Sequence, residues 1–247
     1  MSRLRNIIRV ADDFISLLFP RVCQGCGTIL VRNEEVICLG CLADMAYTNY
    51  HLEPANALEK ELWGRCYVER AAAMCFYRRG SRIQKIIHRL KYHGVRNIGE
   101  YMGHMYGRKL AGSEFVGDID LVIPVPLHHS KIRKRGFNQS ELIAGGLAGE
   151  LNLPLEAGLL KRVARSATQT RRSRVERWEN VEGIFSVSRP ELLEGRHILL
   201  VDDVITTGST VESCVNCLKT IDGVRVTVLA LASAVMSYFT LPGFFVI

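Results

Sequence analysis

The sequence predicts an α/β fold built on a parallel, doubly wound sheet. Segments of strand character alternate with segments of helical character, the order expected of parallel strands joined by crossover helices. Two of the strand segments, Leu121–Val125 and Ile198–Val201, are continuous apolar runs, the pattern of strands covered on both faces. Four cysteines in two closely spaced pairs precede this pattern and mark a small metal-binding module in front of the sheet.

Taken in order, Met1–Phe19 reads as an amphipathic helix, with Leu4, Ile7, Ile8, Phe14, Leu17 and Leu18 as its apolar stripe and Pro20 ending it. Val22–Tyr47 forms the compact cysteine module. Tyr50–Lys60, with Pro54 and Asn56, reads as a linker. Ala71–Tyr77 is a strand, Ser81–Leu90 a helix with Ser81 as N-cap, and Ile98–Leu110 a second helix. After Leu121–Val125 comes a helix over Asn138–Leu151. Arg162–Asn180 is charged and poor in apolar residues, which predicts a mobile loop. Gly183–Val187 is a short strand, Ile198–Val201 a buried strand, Ser209–Lys219 a helix and Val224–Leu231 a further strand. The division expected is residues 1–50 for the N-terminal helix and cysteine module, and residues 51–247 for the α/β domain.

With 247 residues, 48% hydrophobic and 23% charged, the chain has enough material for a core without covalent staples. The formal charge of +7 favours anionic partners without choosing between phosphates and nucleic acid. No secretory signal is visible, so the eight cysteines point to a reducing, cytoplasmic setting and to metal rather than disulfides. Val226–Ile247 carries no charged residue. Its β-branched start and Pro242–Gly243 predict a buried strand followed by an apolar tail packed on the domain rather than a membrane span, with membrane or partner contact as the alternative.

The chemistry concentrates in His197–Thr210. An apolar strand ends in Asp202 and Asp203, and a Thr/Gly/Ser loop follows and opens a helix. Ligands of open α/β sheets bind at the carboxyl ends of strands. Thr206, Thr207, Gly208, Ser209 and Thr210 offer successive backbone N–H groups and hydroxyls at a helix N-terminus, a setting that suits a phosphate dianion. Two carboxylates cannot serve that phosphate. They suit the vicinal hydroxyls of a ribose, and they would stabilise positive charge developing on the sugar ring during glycosyl transfer. A carboxylate pair followed at once by a phosphate cradle therefore reads as a ribose-5-phosphate site.

A second cationic segment follows Leu121–Val125. Lys131, Arg133, Lys134 and Arg135 cluster beyond the strand end, where a pyrophosphate would lie and where arginine suits bidentate contact. A solvated basic loop is the competing reading from charge alone. Cys23-Gln-Gly-Cys26 and Cys38-Leu-Gly-Cys41 are two CxxC knuckles about a dozen residues apart, which fits a closed tetrahedral structural zinc site. An Fe–S centre or a redox pair is the alternative. Cys214 and Cys217 lie on one predicted helix and read as small core residues. Cys66 and Cys75 carry no pattern.

Val201–Thr210 resembles the binding motif for phosphoribosyl pyrophosphate (PRPP) of type I phosphoribosyltransferases. More widely, Pro124–Leu127, Arg135–Gln139, Lys91–Gly94 and Arg174–Asn180 resemble the ComF/GntX family, phosphoribosyltransferase-like proteins linked to bacterial competence, over Pro20 to about Ala232. The resemblance implies a type I phosphoribosyltransferase-like parallel sheet flanked by helices, with a small N-terminal four-cysteine zinc ribbon. It implies Asp202 and Asp203 at the ribose hydroxyls, Thr206–Thr210 at the 5′-phosphate, and Mg²⁺ bridging pyrophosphate and ribose oxygens. The loop with Arg162, Arg165 and Gln169 would close over bound substrate and exclude water. Around Arg165–Gln169 the sequence departs from the family's Arg and Thr before Pro-Gln, so the roles of Arg162 and Arg165 stay open.

Two readings of function follow. One is transfer of a phosphoribosyl group from Mg-PRPP to an acceptor the sequence does not identify, with release of pyrophosphate. The other is a non-catalytic protein that binds PRPP or a nucleotide within a DNA-uptake system and contacts competence proteins or single-stranded DNA. The cysteine module has mixed charge, Arg32 against Glu34 and Glu35, and no interleaved aromatics for base stacking, which disfavours nucleic-acid binding by that module alone.

Overall fold

The computed structural model describes residues 19–163 and 184–235. The N-terminal helix expected over Met1–Phe19, the loop residues Arg165 and Gln169, and the apolar tail beyond Val235 lie outside the described residues, apart from Phe19.

Four parallel strands form the central sheet in the order β1-β6-β5-β2: β1 is Ala71–Phe76, β2 Leu121–Pro124, β5 His197–Ile205 and β6 Arg225–Ser233. The register runs Leu121↔Ile198 to Pro124↔Val201 between β2 and β5, His197↔Arg225 to Ile205↔Ser233 between β5 and β6, and Ala71↔Val228 to Phe76↔Ser233 between β1 and β6. Ile198, Leu199, Leu200, Val201, Val226, Val228 and Leu229 are fully buried. Each such side chain contributes about 1.5–3 kcal/mol on transfer from water, so the continuous apolar runs are explained by cover on both faces. His197 starts β5 at the end of the sheet away from the carboxylates. It is buried, with Nδ1 3.0 Å from Asp118 Oδ1 and Nε2 2.9 Å from Thr227 Oγ1.

Seven α-helices lie among the described residues: α1 Leu39–Ala43, α2 Ala57–Trp63, α3 Arg82–Tyr92, α4 Asn97–Leu110, α5 His129–Arg135, α6 Gln139–Leu151 and α7 Ser209–Leu218. Ser81 caps α3 by accepting from the Gln84 N–H at 3.3 Å, and Asn138 caps α6 by accepting from the Ser140 N–H at 3.2 Å. α4 and α6 approach unusually closely. Gly99, Gly103 and Gly107 form a stripe on α4, and a Cβ added at Gly99 or Gly107 would stand 2.6 Å from Leu142 Cβ or 2.7 Å from Glu150 Cβ. At Gly103 an added Cβ would overlap the Ile143 carbonyl oxygen. This contact holds α6 against β2 and β5 and brings its N-terminus to the carboxyl end of the sheet.

The structure corrects four expectations. Tyr50–Lys60 is packed structure rather than a linker, for Tyr50, His51 and Asn56 are buried and α2 begins within it. Asn56, read as a mark of irregular structure, caps α2 through the Leu58 and Glu59 N–H groups, while its Nδ2 donates to the carbonyls of Tyr50, Glu53 and Ala71. β5 continues to Ile205, past the carboxylates expected to end it. The basic segment after β2 is helical rather than a loop. Arg162, placed at the head of a mobile loop, belongs instead to β3, Leu160–Arg162, which pairs antiparallel with β4, Phe185–Val187. That pairing joins residues more than twenty positions apart in the chain, so local sequence could not reveal it.

Candidate functional site

The carboxyl ends of β5 and β2, the N-termini of α6 and α7, and the last turn of α3 meet at one place. Asp202 and Asp203 occupy consecutive positions within β5, and successive strand residues face opposite sides of the sheet. Asp202 turns to α6, where the Ser140 hydroxyl donates to its Oδ1 at 3.0 Å and the Asp203 N–H donates to the same oxygen at 2.8 Å. Asp203 turns to α3, where Lys91 Nζ donates to its Oδ1 at 2.7 Å. Burial raises the Asp202 carboxyl to about 7, reinforced by the neighbouring Asp203 charge and opposed by the Asp203 N–H, Lys91 and Ser140. A carboxyl so tuned exchanges its proton near neutrality, as acid–base and ligand-binding groups do.

Three residues downstream of Asp203 the chain enters Thr206–Thr210. Gly208 adopts φ 75°, the left-handed region that favours glycine. It precedes α7 and supplies no side-chain cap, so the first N–H groups of the helix are left for another acceptor. Thr206, Thr207, Ser209 and Thr210 are exposed, and the Thr207 and Ser209 hydroxyls lie 2.9 Å apart. A Cβ at Gly208 would come 3.2 Å from Leu62 Cδ2, so α2 borders the loop. The arrangement suits an anion at a helix N-terminus.

The basic residues do not all converge. On α5, Lys131 and Arg135 lie one turn apart on one face, whereas Arg133 sits about half a turn round the helix. Arg135 is tied to the site at two points: its Nη1 donates to Gln139 Oε1 at 2.8 Å, and its guanidinium lies 5.2 Å from the Tyr92 ring centroid. Gln139 precedes Ser140 and Tyr92 follows Lys91. Gln139 is buried, and its Nε2 has no partner among the described residues. Lys131 and Arg133 are exposed. Arg162 stacks on Phe185, 5.4 Å from the ring centroid.

Lys91 and Ser140 were not assigned a role from sequence. Both were within reach of inspection: Lys91 opens the Lys91–Gly94 match, and Ser140 directly follows Arg135–Gln139. What the sequence lacked was the knowledge that α3 and α6 flank the same strand end.

The cysteine site stands apart from these carboxylates. The four sulfurs of Cys23, Cys26, Cys38 and Cys41 lie within 4.8 Å of one another, with Cys26 and Cys38 3.7 Å apart. Zn–S bonds of about 2.3 Å at tetrahedral angles require sulfurs about 3.8 Å apart, so the geometry fits a four-sulfur metal. Backbone N–H groups of Gly25 and Cys38 point at Cys23 Sγ at 3.3 and 3.2 Å. The hydroxyl and N–H of Thr28 lower the Cys26 thiol to about 6, whereas burial pushes Cys41 up. Four sulfurs this close cannot all ionise without a cation to balance them. Glu34, one of the mixed charges of the module, is nearly buried and ties the turn between the knuckles to the second one, accepting from the N–H groups of Val31 at 3.0 Å and Leu39 at 2.7 Å. Cys214 is buried within α7 beside the partly buried Cys217, as expected of core residues. No helix among the described residues is long and apolar enough to cross a membrane.

Residues 138–237 match the phosphoribosyl transferase domain family. The chain is 38% identical over 117 residues to Competence protein F of Haemophilus influenzae, an alignment covering 47% of this chain and 51% of that protein, about half its length. It is 28% identical over 197 residues to DNA utilization protein YhgH of Escherichia coli K12, covering 77% and 80% of the two chains. Among solved structures, glutamine PRPP amidotransferase from B. subtilis matches with TM-score 0.41 and 21% identity, over 57% of this chain and 30% of that one. The chain is therefore a homologue of the proteins named Competence protein F and YhgH, with residues 138–237 matching a phosphoribosyl transferase domain, a parallel sheet flanked by helices, and a four-cysteine cluster near the N-terminus that fits a zinc ribbon.

Proposed function

We propose that this chain binds Mg-PRPP at the carboxyl end of β5 and transfers the phosphoribosyl group to an acceptor, releasing pyrophosphate. One observation carries the reading: a carboxylate pair in β5 leads within three residues into an uncapped helix N-terminus with Gly208 at φ 75°. Asp202 and Asp203 would take the ribose hydroxyls, Thr206–Thr210 the 5′-phosphate, and Arg135, with Lys131 on the same face, the pyrophosphate. Mg²⁺ would arrive on the oxygens of the substrate and neutralise the charge of the leaving pyrophosphate. In the transfer, the bond from the anomeric carbon to the pyrophosphate oxygen breaks and pyrophosphate leaves with the electron pair. The acceptor supplies the new pair to that carbon and loses its proton. The carboxylates stabilise the positive charge that develops on the ring between these events. Residues 1–50 are read as the N-terminal helix and a zinc ribbon whose metal would be structural, and residues 51–247 as the transferase domain.

The names of the relatives favour a second reading, a PRPP- or nucleotide-binding component of DNA uptake that does not turn over its ligand. Titration calorimetry with Mg-PRPP, on the wild type and on Asp202→Asn/Asp203→Asn, tests the shared part. Binding that the double substitution abolishes supports both readings, and pyrophosphate release in a screen of nucleobases and amines then separates them. A folded, zinc-loaded wild type that takes up no Mg-PRPP sinks the transferase reading and moves the weight to a component that binds another nucleotide or a protein partner.

A further inference from the structure

Helix α3 lies between the cysteine module and the carboxylates, and it is tied to each by different faces. Toward the module, Arg82 Nε donates to Asp44 Oδ2 at 3.0 Å and Arg89 Nη1 donates to Gln24 Oε1 at 2.9 Å. Gln24 stands between the first two cysteines, and Asp44 follows α1, which carries Cys41. Between the two arginines, a Cβ at Gly25 would reach 2.8 Å from Cys41 Sγ and 3.6 Å from Ile86 Cδ1. Residues 82, 86 and 89 repeat at the spacing that puts them on one face. Lys91 is about half a turn away, at roughly 100° per residue, and it reaches Asp203 at 2.7 Å. The module therefore holds one flank of the helix whose opposite flank supplies the counter-charge of the carboxylate pair.

We propose that the cysteine module positions Lys91 through α3, so that the metal ribbon sets the geometry of the ribose carboxylates although none of its residues touches them. The functional half of this proposal rests on the PRPP reading, and the mechanical half does not. The physical need is clear from the strand. Asp202 and Asp203 are adjacent, Asp203 is 8% exposed, and a carboxylate in so dry a place beside a second one needs a fixed cation. A lysine has a flexible four-carbon stem, and its ammonium is held in one place only if its Cα is held. Lys91 sits in the last turn of α3, directly before the His93–Gly94 exit, where Gly94 has φ 68°. The apolar face of α3 is anchored in the core through Ile87 and Leu90, and on the flank toward the module the Arg89–Gln24 contact lies only two residues before Lys91.

The test compares the full-length wild type with Arg82→Met/Arg89→Met, which severs both contacts and leaves every cysteine in place, and with Arg82→Lys/Arg89→Lys, which keeps a donor at each. Zinc content and circular dichroism establish that the variants are loaded and folded. Hydrogen exchange at residues 88–94, without ligand, is expected to rise about tenfold in the methionine variant and to return toward wild type in the lysine variant, while α6 is unchanged. Affinity for Mg-PRPP is expected to fall about tenfold in the methionine variant and to be largely restored in the lysine variant, since loss of one fixed counter-charge is worth about that factor. Unchanged exchange at residues 88–94 in the methionine variant overturns the proposal whether or not PRPP binds. Raised exchange with unchanged affinity also overturns it, because α3 would then move without consequence for the site. A wild type that takes up no Mg-PRPP refutes the PRPP reading and the functional half, while the exchange measurement still decides whether the module clamps α3. If the methionine variant does not fold, the single substitution Gln24→Ala, read by the same two measurements, takes its place.

Discussion

Replacing Asp202 with asparagine should stabilise the folded chain at neutral and higher pH while destroying the site. Burial and the Asp203 charge raise the Asp202 carboxyl from 3.8 to about 7 in the folded state. The folded chain therefore keeps a proton on Asp202 that the unfolded chain has already lost. Between about pH 4 and pH 7 the folded state binds more protons, so this residue makes stability fall as pH rises, and above pH 7 its full penalty is present. A shift of that size is worth at most about 4 kcal/mol. Water entry and side-chain relaxation at the strand end reduce it, and about 2 kcal/mol is the expected gain. Asparagine keeps Oδ1 for both donors that Asp202 now accepts, the Ser140 hydroxyl at 3.0 Å and the Asp203 N–H at 2.8 Å, and brings no charge to bury. Urea unfolding of the two proteins at about pH 4, 5, 6, 7 and 8 should give nearly equal stability at the acid end and an advantage for the variant that widens to about pH 7 and is nearly flat above it. In thermal melts the advantage at pH 8 should be roughly 4–8 °C. Parallel pH profiles, or a variant less stable than wild type at pH 8, would refute the claim that the carboxyl is held at a cost for function.

Three further outcomes are expected. Gly208→Val places a β-branched residue at φ 75° with its Cβ 3.2 Å from Leu62 Cδ2, and should cost about 1–3 kcal/mol of stability in chemical denaturation and abolish calorimetric binding of Mg-PRPP; unimpaired binding would mean the loop conformation is not the phosphate cradle. Asn56→Ala removes the α2 cap and leaves buried carbonyls of Tyr50 and Ala71 without their donor, so urea denaturation should report a loss of about 2–4 kcal/mol, whereas a loss below about 1 kcal/mol would show that Tyr50–Lys60 behaves as a linker after all. Cys41→Ser should lower bound zinc, measured by elemental analysis, well below the roughly one equivalent expected of a closed tetrahedral site, and retention of the full equivalent would show that the four sulfurs do not act together.

Much of the arrangement was legible in the chain itself, because the features concerned are local. The apolar runs of β2 and β5 state their own burial, Ser81 announces the helix it caps, and the two CxxC knuckles carry their spacing in plain view. The run from Asp202 to Thr210 spells a carboxylate pair and a glycine-led helix start within nine residues, since both are made by one strand, one turn and one helix start. Spacing of that kind survives folding unchanged. The tertiary structure decided which side chains meet across sequence distance. Lys91 is separated from Asp203 by 112 residues and Ser140 from Asp202 by 62, and neither pairing has any local signature. Strand alternation then sent the two carboxylates to different helices, and helix geometry let Lys131 and Arg135, but not Arg133, share a face. The raised Asp202 carboxyl has the same origin. Charge and composition name the groups, but burial and the distances between them set how those groups behave, and both are properties of the packed chain.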